Sequence, residues 1–355
     1  MDGETIALGA FVAAPVVTGL AARAYLRRVR AAAGGGRPRR AQLVAGNLLV
    51  LAFLVCLLAL AGECWLRFVY DATDSFGLLR TTDRWMARHY HDNNQHVRDD
   101  VDYDIGLVPK GLRRVTFVGD SFTAGHGIAN VGDRFANRVR AARPGWQVHV
   151  FAVNGLDTGQ ELAIVDDELP HESGGRYRYD VVVLVYCLND VADIMPQYET
   201  IRARLAPRLG RGVLARNSYL FDALRFLSLV RSEPELQAYY PACATAYEGP
   251  TWDLQRERLR KVHAAVASRG GRLAVVTFPF LSELGPQYRF RDVHRRLAEF
   301  WRAEGVPALD LLPTFDGRDP RELTVGRFDA HPNEASHALA AEAIVPFLDG
   351  VMAEK

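Results

Sequence analysis

The chain has 355 residues, 49% of them apolar, which is enough for one α/β domain with a sizeable core and additional segments. With 43 Lys and Arg against 42 Asp and Glu, the formal net charge is +1 and gives no reason to expect a nucleic-acid partner. The four cysteines (Cys56, Cys64, Cys187 and Cys243) match no metal-site spacing, and Cys64 and Cys243 are candidates to pair only in an oxidising compartment.

Two uncharged apolar runs open the chain, 6–22 (IALGAFVAAPVVTGLAA) and 43–61 (LVAGNLLVLAFLVCLLALA). Each is near the roughly 20 residues a helix needs to cross the hydrocarbon core, so each reads as a transmembrane helix. The first is the weaker, rich in Ala and Gly and interrupted by Pro15. Between them stand Arg23, Arg27, Arg28, Arg30, Arg37, Arg39 and Arg40, while the outer flanks carry Asp2, Glu4, Glu63 and Asp71. The positive-inside rule then puts the arginine loop in the cytoplasm and everything after residue 62 on the far side. Two alternatives stay open: the first run as a buried core helix, and the second as a signal cleaved at Ala59-Leu60-Ala61.

Residues 63–110 form a polar, aromatic-spotted lead-in without a long periodic segment, followed by a domain over 111–350. Strands are predicted at 115–118, 146–153, 180–186, 272–278 and 307–312. Helices are predicted at 135–142, 158–169, 252–268, 288–304 and 334–351. Such repeated βα units imply a parallel sheet with helices on both faces. The stretch 191–250 breaks the rhythm with helical pieces at 201–209 and 219–230, and reads as an insertion over the active-site end of the sheet.

Four clusters carry chemistry. In Gly119-Asp120-Ser121-Phe122, a serine follows a strand at a tight turn, where backbone N–H groups could hold a developing oxyanion. By itself this is equally an ordinary Gly-Asp turn with Ser121 as helix cap. In Asp329-Ala330-His331-Pro332-Asn333, His331 suits a general base at neutral pH, Asp329 lies close enough in a loop to reach Nδ1, and Asn333 can cap the last helix. Asn154-Gly155 and Asn189-Asp190 follow the second and third strands and offer a glycine N–H and an asparagine amide as oxyanion donors. In a parallel sheet these strand ends share one edge. His126 is either a pocket or a surface residue, His337 reads as packed or exposed, and Asp166-Asp167 as an exposed helix face.

Ser, Gly, Asn and His in this order resemble the SGNH hydrolases, also called the GDSL family, from about Arg113 to Leu348. The resemblance implies a three-layer α/β/α, flavodoxin-like fold and ester or acyl chemistry; no His, Cys and Asp cluster has metal spacing, and no cofactor is expected. Ser121 would be the nucleophile, His331 and Asp329 its base and orienting acid, and Ser121, Gly155 and Asn189 the oxyanion hole. Asp120, Asn154, Asp190 and Asn333 would support them. Members include esterases, lipases, thioesterases and carbohydrate O-acetyl-esterases or transferases. The lead-in 94–104 (NQHVRDDVDYD) is also similar to what precedes the first block in membrane-tethered members. Three departures stand out: Phe122 replaces the Leu of the name, Cys187 replaces the glycine that opens the third block, and Asp329 is two rather than three residues before His331. The expected substrate is therefore an acyl ester, possibly on an extracytoplasmic carbohydrate or lipid. A polysaccharide O-acyltransferase and an inactive membrane-tethered binding protein are the alternatives.

Overall fold

A computed structural model describes residues 2–34, 36–106, 108–198 and 210–353, and these form two compact units. The first comprises the described parts of Met1–Asp71, Leu78–Arg84 and Pro207–Glu233. Its main elements are helices Gly3–Ala33 and Arg40–Phe68, each long and apolar enough to cross a membrane. Asp2 caps the first by accepting from the Thr5 N–H at 2.8 Å, and Gly34 ends it in the left-handed region. The helices pack through small residues: a methyl group on Gly19 would meet the Phe53 ring at 3.0 Å. Leucines and valines on their outer faces remain uncovered. The second helix extends beyond residue 62 to Phe68, because Glu63 and Arg67 pair one turn apart and allow polar residues to continue it.

The second unit comprises the described parts of Ala72–Gly77, Trp85–Ala206 and Pro234–Lys355. Its sheet has strands β1 (Arg113–Gly119), β2 (Trp146–Ala152), β3 (Val181–Cys187), β4 (Arg272–Phe278) and β5 (Ala308–Asp310). Their order is β2-β1-β3-β4-β5, all parallel, which is the flavodoxin-like arrangement that the sequence implies. β3 reads VVVLVYC and is buried along its whole length, as a central strand covered on both faces must be. The register sets Gly119, the end of β1, beside Ala152, the end of β2, and beside Val185, two residues before the end of β3, so the three strands end close together.

Several elements differ from the sequence reading. The predicted helix at 158–169 continues through a π-helical turn, Ile164–Glu168, into Leu169–Glu172, past Pro170. The stretch 329–332 is a short strand, β7 (Asp329–Pro332), rather than a loop, and pairs antiparallel with β6 (Thr324–Gly326). The lead-in contains a helix, Arg80–His89, with strongly two-faced patterning too short to stand out beside the apolar runs. The helical piece expected at 201–209 lies outside the described residues; the neighbouring one is Tyr219–Ser232.

The lead-in also holds a buried ionic cluster. Asp99 accepts from Arg140 at 2.6 Å, from Arg134 and Asn137 at 3.0 Å each, and from the Tyr103 hydroxyl. Neighbouring Arg98 donates to the carbonyls of Ala124, Gly125 and Ile128, which fixes the loop after Ser121. Asp99→Ala would leave the fully buried Arg134 guanidinium without its carboxylate. The expected loss is about 3–5 kcal/mol of stability. Urea unfolding in detergent checks this, and a loss under about 1 kcal/mol, the surface-pair range, would contradict it.

Candidate active site

Ser121 follows β1 as the first residue of a short helix, Ser121–Ala124, capped by Asp120, whose Oδ1 accepts from the Phe122 N–H at 2.9 Å. The turn requires Gly119: a Cβ there would lie 2.4 Å from Thr123 Oγ1 and 2.8 Å from the Val185 carbonyl oxygen. After β2, Gly155 has φ of +83°, a conformation glycine adopts without strain.

The late histidine reaches the serine across 210 residues of sequence. Ser121 Oγ lies 2.8 Å from His331 Nε2, and His331 Nδ1 lies 2.6 Å from Asp329 Oδ1. With Nδ1–H donating to the carboxylate, Nε2 is free to accept the serine proton. Asp329 Oδ1 also accepts the His331 backbone N–H at 3.0 Å, a bond available because only one residue separates them. Asp329 Oδ2 accepts from the Thr73 hydroxyl and lies 3.5 Å from His126 Nε2.

These contacts set the charges. Burial alone would raise the Asp329 carboxyl and lower the His331 imidazole. Their mutual attraction outweighs it, holding Asp329 down to about 2 and His331 above the ordinary histidine value. His126 is pushed down to about 4, first by burial and then by the nearby His331. Its Nε2–H points to the Asp74 carbonyl at 3.2 Å, and its Nδ1 accepts from Asn154 Nδ2 at 3.0 Å.

Asn189 Nδ2 donates one hydrogen to Asp120 Oδ2 at 3.2 Å and carries a second. Asp190 is fully buried; its Oδ2 accepts the Cys187 N–H at 2.8 Å, so it braces the turn that holds Asn189. Asn333 caps the final helix, Glu334–Ala353, by accepting from the Ser336 N–H at 3.0 Å, and its amide donates to the Glu322 carbonyl at 2.8 Å. His337 is buried and accepts from the Phe135 N–H at 3.1 Å. Asp166 and Asp167 are exposed, and all four cysteines are free.

A cleft of about 490 Å³ opens over these groups and is lined by Ser121, His126, Asn154, Gly155, Asn189 and His331. Its other wall is aromatic: Phe76, Tyr198, Tyr239, Tyr240 and Phe280, with Tyr240 edge-on to Phe280 at 4.9 Å. The sequence reading did not assign these aromatics or Thr73. They come from segments without strand or helix periodicity, and only the adjacency of Tyr239 and Tyr240 could have drawn notice.

His126, Asp329 and His331 each present a ligand atom within 4.8 Å of the others, the one such group among the described residues. Both His331 nitrogens and both Asp329 oxygens are already engaged in the relay, so this donor set does not fit a resident metal. The arrangement is a hydroxyl, an imidazole and a carboxylate in series beside amide donors, which can transfer an acyl group through a serine ester.

Residues 117–339 match the model of the GDSL-like lipase/acylhydrolase family. No curated protein matches the chain in sequence. Among solved structures, TesA is 14% identical with a TM-score of 0.42, covering 67% of this chain and 99% of its own. A lipolytic G-D-S-L family member from Veillonella parvula is 12% identical with a TM-score of 0.41, covering 66% and 97%. A two-domain esterase active on acetylated mannans is 15% identical with a TM-score of 0.39, covering 80% of this chain and 56% of its own.

Proposed function

Since the chain belongs to the GDSL-like lipase/acylhydrolase family and is an ester-hydrolysing enzyme, we propose that it removes a short acyl group, acetyl foremost, from an envelope carbohydrate through an acyl-serine intermediate. The observation that carries this reading is the unbroken series Ser121 Oγ, His331, Asp329, at 2.8 and 2.6 Å, opening onto the cleft. His331 takes the proton from Ser121 as its oxygen attacks the ester carbonyl. The N–H groups of Ser121 and Gly155 and the Asn189 amide hold the oxyanion, each worth about 3 kcal/mol of barrier. His331 then protonates the leaving sugar oxygen, and water, activated by the same imidazole, releases the acid. Thr73 keeps the far oxygen of Asp329 occupied, so its other oxygen stays on His331.

The cleft supports a small substrate. Its volume lies in the lower half of the range for small-molecule sites. Flat aromatic faces suit the C–H surface of a sugar ring or a short acyl chain. In this reading the two apolar helices anchor the enzyme with their arginine loop inside, and the catalytic unit acts outside the cytoplasm. Incubating the full-length enzyme in proteoliposomes with an acetylated glycan tests the proposal: free acetate should accumulate. Acetyl appearing on a second glycan instead of in solution would make it a transferase, and neither product would reject the substrate class.

The pH profile follows from the site. Catalysis needs neutral His331, and Asp329 raises its pKa above the ordinary value of about 6.5. The acid limb of kcat/KM should therefore fall above that pH, with the rate rising as pH increases through it. A limb centred well below pH 6.5 would contradict the relay.

A further inference from the structure

The helix Tyr219–Ser232 belongs to the same compact unit as the two long apolar helices, although nearly 150 residues separate it from them in sequence. Its first turn is built onto their ends. Glu63, fully buried near the end of the second helix, accepts from the Ser218 hydroxyl at 2.7 Å and the Leu220 N–H at 2.8 Å. Gly62 faces the Leu220 side chain, and the Asn217 carbonyl accepts from the Arg67 guanidinium at 2.9 Å. The Phe221 ring lies 6.0 Å from Phe11 of the first helix.

Phe11 fixes the depth. It stands five residues inside the apolar run that starts at Ile6. At 1.5 Å per residue that is about 8 Å below the edge of the run, within the 5–10 Å to which interfacial helices sink. Gly62 is the residue just after the second run ends. The start of Tyr219–Ser232 therefore sits level with the membrane boundary defined by both helices.

Its side chains divide accordingly. Asp222 is buried and turned to the unit's interior, accepting from the Arg80 N–H at 2.7 Å and pairing with Arg225 at 3.0 Å. On the outside, Phe221 is 40% and Leu224 52% exposed, and just before them Val213 is 76% and Leu214 64% exposed. A stripe of four large apolar side chains beside paired charges is not the pattern of a water-facing surface. The two long helices of the same unit also leave large apolar side chains uncovered, and in the membrane reading lipid covers them. Arg216, in the short helix just before, is exposed and suits the headgroup zone.

We infer that Val213–Asn217 and the first turns of Tyr219–Ser232 form a third membrane-contacting element, lying in the bilayer interface with Val213, Leu214, Phe221 and Leu224 against lipid acyl chains. The inference rests on the membrane reading of the two long helices. It assigns to part of the sequence insertion a role in binding the bilayer rather than the substrate.

The test uses the full-length protein in liposomes, with Cys56→Ser and Cys64→Ser as background and one environment-sensitive fluorophore on an introduced cysteine. Leu51→Cys, in the middle of the second apolar run, reports on the membrane reading itself; Leu224→Cys and Leu214→Cys report on the new element. Lipids carrying a nitroxide high in the acyl chain should remove about half or more of the emission at 224 and 214, as for an interfacial helix, and lipids carrying it near the chain end should do the same at 51. Quenching at 51 but not at 224 and 214 overturns this inference alone. Blue-shifted but unquenched emission at 224 means that protein covers the face, which also overturns it. If 51 is not quenched either, the membrane reading has failed. Retained hydrolysis of a soluble ester in each labelled variant shows that the fold is intact.

Discussion

Ser121→Ala is expected to lower kcat on a soluble acetyl ester by at least about 10⁴-fold, with little change in KM. The substitution removes one oxygen, the atom that forms the acyl bond in the proposed mechanism, and leaves the cleft, the Asn189 amide and the Gly119 turn in place. Binding should therefore survive while chemistry stops. A fluorophosphonate probe should label the wild-type enzyme and leave the variant unlabelled, because the probe reports the nucleophile directly. Ser121 lines the cleft and is 7% exposed, and its Oγ lies 2.8 Å from His331 Nε2. Equal labelling of both proteins, or a loss below about tenfold, would move the nucleophile elsewhere and end the acyl-serine mechanism proposed here.

Asp329→Asn should cost about 10⁴-fold in kcat with the fold intact. The wild-type carboxylate accepts Nδ1–H at 2.6 Å and stabilises the imidazolium that forms as Ser121 attacks. An amide in its place can present N–H to Nδ1, which pins the proton on Nε2 and leaves no lone pair for the serine hydroxyl. The same change has a second readout. Without the charge of Asp329, burial dominates at His331 and its pKa drops, so the acid limb of the residual activity should shift to lower pH. A merely structural role for Asp329 would lower stability without moving that limb. A small loss with an unmoved limb would point to Asp120 and Asp74, the other carboxylates whose charges act on His331.

Much of the site was legible from short motifs because strand ends in a parallel sheet fall on one edge. Once 115–118, 146–153 and 180–186 are recognised as successive buried strands, Ser121, Asn154-Gly155 and Asn189 must be neighbours. Asp329 was harder. Its one-residue spacing from His331 departs from the family pattern, and the short β6–β7 pairing that holds both side chains involves too few residues to show periodicity. His126 was left between pocket and surface, since nothing local reveals that Asp74 and Asn154 fix its two nitrogens.

The sequence by itself determined the two apolar helices, the alternation of strands and helices, and the chain order of the reactive groups. Each of these is a local pattern of hydrophobic period or turn chemistry, written within a few consecutive residues. The tertiary structure decided which distant segments meet: Thr73 on the far oxygen of Asp329, with His126 beside it, an aromatic wall from residues 76, 198, 239, 240 and 280, and an insertion divided between the two units. Such contacts depend on loop closures over tens to hundreds of residues, and their energy lies in burial and hydrogen bonding between surfaces that have no shared period in sequence.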